Sequence, residues 1–151
     1  MVSLAYKKYE QLLNDKMELA FRQEELICQA ATLISKSLSV KGWIYTCGTG
    51  HSHLLAEEIF YRAGGFARVR PLLLPQLMLH ESATGSTDEE RKEGYAPILF
   101  QEYTITNKDV LLISSNSGRN AVPIELASYA RQQGVKVIVI TNLAHSKSVT
   151  S

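Results

Sequence analysis

Asp109-Val110-Leu111-Leu112-Ile113-Ser114-Ser115-Asn116-Ser117-Gly118 is the stretch that decides the fold, because a compact apolar strand runs straight into a loop of serine, asparagine and glycine. A strand apolar along its whole length has no face reserved for water, which points to a parallel sheet covered on both sides. Downstream the order continues. The spacing predicts a helix over about 120–133 that ends at Gly134, and 135–140 is a second β-branched strand that leaves through Thr141-Asn142-Leu143. Upstream, the apolar run 43–47 ends in glycine and opens the loop Gly48-Thr49-Gly50-His51-Ser52-His53.

Between these two strand-loop junctions, 54–63 reads as a helix capped by a left-handed turn at Gly64-Gly65, and 67–74 as a strand. The segment 75–94 is the least regular, although Thr87-Asp88-Glu89-Glu90 matches a capping box at a helix start; 95–103 is a further helix. At the N-terminus Leu4, Leu12, Leu13, Met17, Phe21, Leu26, Ile27 and Leu38 recur at mostly three- and four-residue steps, giving a long amphipathic helix or a helix pair that Gly42 closes. The fold class is therefore α/β: one domain over 1–151, with a helical segment to about residue 40 and a core from 41. Ser148-Val149-Thr150-Ser151 follow the last strand and its loop with no helix to cover that edge, a liability for a sheet. The expectation is that the natural protein continues or that a partner subunit covers the gap.

A length of 151 residues fits one globular domain, and 45% hydrophobic with 21% charged residues is the balance of an ordinary folded core. Sixteen basic against fifteen acidic side chains, with no basic run, argue against nucleic acid or an anionic membrane as partner. Cys28 and Cys47 have neither disulfide nor zinc-ligand spacing, so a reducing cytoplasm fits. Tyr6, Lys7, Lys8, Glu10, Asn14 and Asp15 break up any signal-peptide core, and no apolar run reaches bilayer length. The histidines form no ligand array, so neither metal nor other cofactor is expected.

Both loops join a strand to a helix N-terminus at the carboxyl edge of the sheet, where open α/β folds bind ligands. Glycines at 48 and 50 let the backbone turn and present amides to an anion, and the hydroxyls and amides of 114–120 add neutral donors beside a helix end of partial positive charge. Each loop alone has a plain reading, since Gly-x-Gly is common after strands and serine and asparagine favour helix caps. The pair on one sheet is more specific. A dinucleotide fingerprint fails, with His53 where its third glycine belongs and Arg68 and Arg70 where an acid would hold the ribose; no Gly-Lys-Ser/Thr of a P-loop occurs.

Gly48-Thr49-Gly50-His51-Ser52 is similar to the first loop of the SIS (sugar isomerase) family, and Ile113-Ser114-Ser115-Asn116-Ser117-Gly118 to its second, a resemblance that covers about 40–145. Within the family the chain most resembles bacterial proteins defined by this domain alone and related to phosphoheptose isomerase. The resemblance implies a flavodoxin-like five-stranded sheet, a phosphorylated sugar as ligand, and a homodimer or higher oligomer with the N-terminal helix between subunits. It also implies a site made of Gly50, Ser52, Ser114, Ser115, Asn116, Ser117, Gly118 and Asn120, with phosphate on Ser115, Asn116, Ser117 and Asn120. Asn120 stands where many members have threonine.

The resemblance further implies an acid about ten positions after the first-loop serine, as phosphoheptose isomerase and the etherase of the family have, but this chain has Arg62 there; the nearest acids are Glu57 and Glu58. Moving a proton between adjacent carbons requires a base within reach of a carbon-bound proton. Glu58, then Glu57, and His51 in the loop are the candidates, each also readable as a solvated surface group. His53 ranks below His51, and Arg119 is a candidate for an added charged contact. Three functions fit: an aldose-ketose isomerase first, a non-catalytic phosphosugar-binding regulatory module second, and a lyase or etherase third.

Overall fold

A computed structural model of the protein describes residues 2–148. The chain separates into two compact units, one up to Thr32 and one from Leu33 onward. The first is a helix pair: α1 spans Val2–Phe21 and α2 Glu24–Ser39, with the last turns of α2 belonging to the second unit. The break falls at Gln23, whose N–H bonds the Ala20 carbonyl three residues back and tightens the end of α1. Glu24 and Glu25 then start α2 with negative charge at its positive end.

The second unit is built on four parallel strands in the order β2-β1-β3-β4. They are β1 (Ile44–Gly48), β2 (Val69–Pro71), β3 (Val110–Ser114) and β4 (Lys136–Ile140). The strand order follows the flavodoxin pattern, with four strands among the described residues instead of five. Tyr45 and Cys47 of β1 and Leu111 and Ile113 of β3 share the core with Leu99 and Phe100 of α5 (Tyr95–Tyr103) and Val122, Leu126 and Ala130 of α6 (Ala121–Gln132). On the opposite face α3 (His53–Glu58) packs on β1, where the Thr46 hydroxyl donates to the Ala56 carbonyl.

Polar ties fix the lower ends of the central strands. The buried Asp109 accepts from the N–H of Trp43 and of Thr106, both at 2.7 Å, and from the Thr106 hydroxyl at 2.9 Å. Ser37, buried near the end of α2, donates to the Lys108 carbonyl at 2.7 Å. That bond ties the last turn of α2 to the segment just before β3.

Several boundaries differ from expectation. The helix expected over 54–63 stops at Glu58, because Ile59-Phe60-Tyr61 are poor helix formers and Tyr61 turns left-handed at φ 46°. Gly64 is left-handed at φ 74°, but in a later turn, not as that helix's cap. The strand expected over 67–74 pairs at 69–71 only, after which the Leu72 N–H still reaches the Thr46 carbonyl at 2.7 Å.

The capping-box match at 87–90 falls at the opposite end of its helix: α4 (Ala83–Glu89) is capped by Ser82, whose hydroxyl accepts from the Gly85 N–H, and residues 87–90 are its last turn and C-cap. After β4 a short helix forms, α7 (Leu143–Lys147), where only a loop was expected; Asn142 caps it through the His145 N–H at 3.0 Å. Residues 149–151, part of the expected bare ending, lie outside the described residues.

Candidate functional site

Gly48, Ser114 and Ile140 are aligned across the three strands by the register, so the loops that follow leave the sheet side by side. Gly48 has to be glycine. A Cβ there would fall 2.4 Å from the carbonyl oxygen of Ser52, so the first loop folds back onto its own root. Gly50 turns the loop at φ 55°, a left-handed conformation that other residues adopt at a cost. The loop then closes with Ser52 N–H donating to the Thr49 carbonyl at 3.1 Å.

The second loop is tied to the first. The buried Ser114 hydroxyl lies 2.6 Å from the Ser52 carbonyl, to which it donates. Ser115 is held to β4 through its N–H on the Ile140 carbonyl, and its hydroxyl accepts from the Gly118 N–H at 3.1 Å. Gly118 is left-handed at φ 62°, the turn that brings its amide back onto that hydroxyl. The Asn116 carbonyl accepts from the Asn142 N–H at 3.2 Å and from the Thr141 hydroxyl at 3.4 Å, so a third loop joins the first two.

Beside these contacts lies an open cleft of about 330 Å³ lined by His51, Ser52, Leu55, Ser114, Ser115, Asn116, Ile140, Thr141 and Asn142. Five expected site residues therefore meet: His51, Ser52, Ser114, Ser115 and Asn116. Gly50 and Gly118 shape the loops without lining the cleft, and Ser117 is turned to its own loop, accepting from the Arg119 N–H at 3.4 Å. Asn120 precedes α6 with no side-chain cap bond and lines a separate cleft of about 590 Å³ with Arg91, Glu93, Arg119, Ile124 and Glu125 among others. Thr141 and Asn142 were missed as site residues. Their signal was available, since they leave β4 as Ser115 and Asn116 leave β3.

The expected acids do not line the cleft. Glu58 is exposed and paired with Arg62 one turn on. Glu57 reaches His53 Nε2 at 3.4 Å. Another acid flanks the first loop: a Glu90 carboxylate oxygen lies 3.9 Å from where a Cβ on Gly50 would sit, while the Glu90 backbone carbonyl holds the Val122 N–H of α6. Sequence alone gave no reason to single it out, because it comes from the irregular segment.

Among the described residues no group of three or more His, Cys, Asp or Glu is placed to hold a metal ion, and no helix is long and apolar enough to cross a membrane. Both cysteines are free; burial pushes the Cys47 thiol up to about 12 and keeps it protonated.

Residues 8–142 match the family model described as the SIS domain. A UPF0309 protein of Halalkalibacterium halodurans is 46% identical over 145 residues, covering 96% of this chain and 59% of its own length. A UPF0309 protein of Listeria innocua is 45% identical over 148 residues, covering 93% and 60%. This chain thus spans about six-tenths of the curated relatives it matches. Among solved structures, phosphoheptose isomerase GmhA from Neisseria gonorrhoeae superposes with a TM-score of 0.63 at 24% identity, over 91% of this chain and 72% of that one. At that identity the likeness is one of fold.

Proposed function

Because the chain belongs to the SIS domain family, we propose that it binds a phosphorylated sugar or amino sugar between its loops and isomerises it between aldose and ketose. The observation that carries this reading is the bond from Ser114 to the Ser52 carbonyl, which joins two hydroxyl- and amide-rich loops around one cleft. Neutral donors of this kind surround a phosphate without a metal or a lysine. Phosphate is assigned first to Ser115 and Asn116, which line the cleft; Ser117 and Asn120, the other two that the family resemblance implies, would have to turn into it to take part, with Gly50 and Gly118 giving the loops their turns and Ser52 contacting the phosphate or a sugar hydroxyl. Ser114 acts through the loop it fastens. His51 lines the cleft and is the candidate acid or base within it. Glu90 is the acid beside the first loop, while Glu58 and Glu57 would have to leave Arg62 and His53 to act.

That none of the residues lining the cleft is acidic favours a second reading, a phosphosugar-binding regulatory module without turnover. The two are separated by first screening sugar phosphates, the same sugars unphosphorylated, and nicotinamide dinucleotides for a rise in melting temperature, then assaying the stabilising sugar for turnover. A shift with one sugar phosphate and conversion to its isomer supports the enzyme. A shift without conversion supports the module, and conversion to a cleaved product supports a lyase. No shift with any sugar phosphate, in folded protein, overturns the binding site.

We further propose a homo-oligomer in the reducing cytoplasm. Two free cysteines support the compartment, and the exposed Tyr9, Leu13 and Met17 of α1, at four-residue steps, support self-association.

A further inference from the structure

His53 is a buried, fully engaged side chain that the proposed chemistry does not use. It is 4% exposed and is the first residue of α3, directly after the first loop. Its Nδ1 contacts the carbonyl oxygen of Gly50. Its Nε2 lies 3.4 Å from a Glu57 carboxylate oxygen one turn along the helix, and the His80 ring packs beside it with centroids 5.9 Å apart. A carbonyl oxygen only accepts, so the contact at Nδ1 is attractive when Nδ1 carries the proton. The geometry therefore selects one tautomer, and a second proton on Nε2 would be directed at Glu57.

The carbonyl held this way, which also accepts from the His53 backbone N–H, belongs to the left-handed residue of the loop, Gly50 at φ 55°. A trans peptide is planar, with its N–H opposite its C=O, so fixing the Gly50 oxygen also fixes the direction of the His51 N–H. His51 and Ser52 line the cleft. We infer that His53 is a positioning residue: it clamps the Gly50–His51 peptide from inside the protein and sets the first loop for its ligand. This rests on the reading of the cleft as a phosphosugar site.

The test uses His53→Asn, whose amide N–H can stand in for Nδ1–H, and His53→Gln, whose amide extends toward the Nε2 position. In nitrogen-15 spectra of the wild type, whose four histidines make assignment by loss of signal in H53N direct, Nδ1 of His53 is expected to be the protonated nitrogen. Both variants are checked by thermal melting and then titrated with inorganic phosphate and with fructose 6-phosphate. H53N is expected to bind the probe that the wild type binds within about threefold and H53Q to lose about tenfold, the order of one hydrogen bond. Amide resonances of residues 48–52 should stay near wild type in H53N and move in H53Q.

Protonation at Nε2 alone overturns the inference, as does equal binding by the two folded variants. Should the wild type bind neither probe, the phosphosugar reading lacks its ligand, and the tautomer with the amide shifts still decides the role of His53 in the loop. If either variant fails to fold, the tautomer of the wild type, measured without any substitution, decides alone.

Discussion

Ser115 is where a single atom carries the most. Its hydroxyl oxygen accepts from the Gly118 N–H, which leaves its proton free for a bound anion. Ser115→Ala should weaken binding of the stabilising sugar phosphate by about 1.5–3 kcal/mol, the range for a hydrogen bond to a charged group, as read by calorimetry. Unchanged affinity would remove this serine from the phosphate site. Two carboxylates can be tested against each other in the same way. Glu90→Gln should lower turnover at least about tenfold if proton transfer runs through the acid beside Gly50, and Glu58→Gln, which touches only the exposed pair with Arg62, should leave it within about twofold. The reverse result would return the role to Glu58. The serines were legible in the sequence because strand-to-loop junctions rich in serine and glycine are local patterns. Glu90 was not, because its nearness to Gly50 arises from the packing of a segment about forty residues away, and nothing in its neighbours' identities encodes that.

At the level of elements, β1 and β3 were read with small errors at their ends, since their near-complete burial leaves an uninterrupted apolar signal, and helix α5 at its full span, from the one face that buries Ala96, Leu99 and Phe100. Short helices were read poorly. The box at 87–90 had the right residues at the wrong end of α4, because Ser82 met the same requirement for a cap five residues earlier. Helix α3 was drawn too long because Ile59 and Phe60 continue an apolar pattern while Tyr61 ends the helical backbone. Helix α1 makes its own prediction. Tyr9 is 62% exposed, Leu13 45% and Met17 55%, on one face of a twenty-residue helix. If that face joins copies of the chain, Leu13→Glu with Met17→Glu should reduce the mass found by sedimentation to that of one chain and leave the strand signal in circular dichroism intact. A wild type that already sediments as a single chain would dismiss the oligomer.

Across the whole molecule, titration links the core to stability. Burial pushes the Cys47 thiol from its usual 9.0 up to about 12, and burial, then the hydrogen bond and charge of Glu89, push the Tyr95 hydroxyl from 10.0 up to about 12. Between those values the unfolded chain has released protons that the folded one keeps, so folding is favoured less as pH rises. Urea midpoints should be level up to about pH 8 and fall beyond about pH 9, and Cys47→Ala should shift that fall toward the range of Tyr95. A midpoint that stays level to about pH 11 would contradict the raised titration of both groups. The level row of Gly48, Ser114 and Ile140 has a further effect, on how the protein tolerates change. In a saturation library selected first for folding and then for ligand capture, substitutions before that row should be removed in the first round and most of those just after it in the second. Gly48, pressed against Ser52, should be lost in both, so new specificities are best sought by exchanging the three loops as a set on an unaltered sheet.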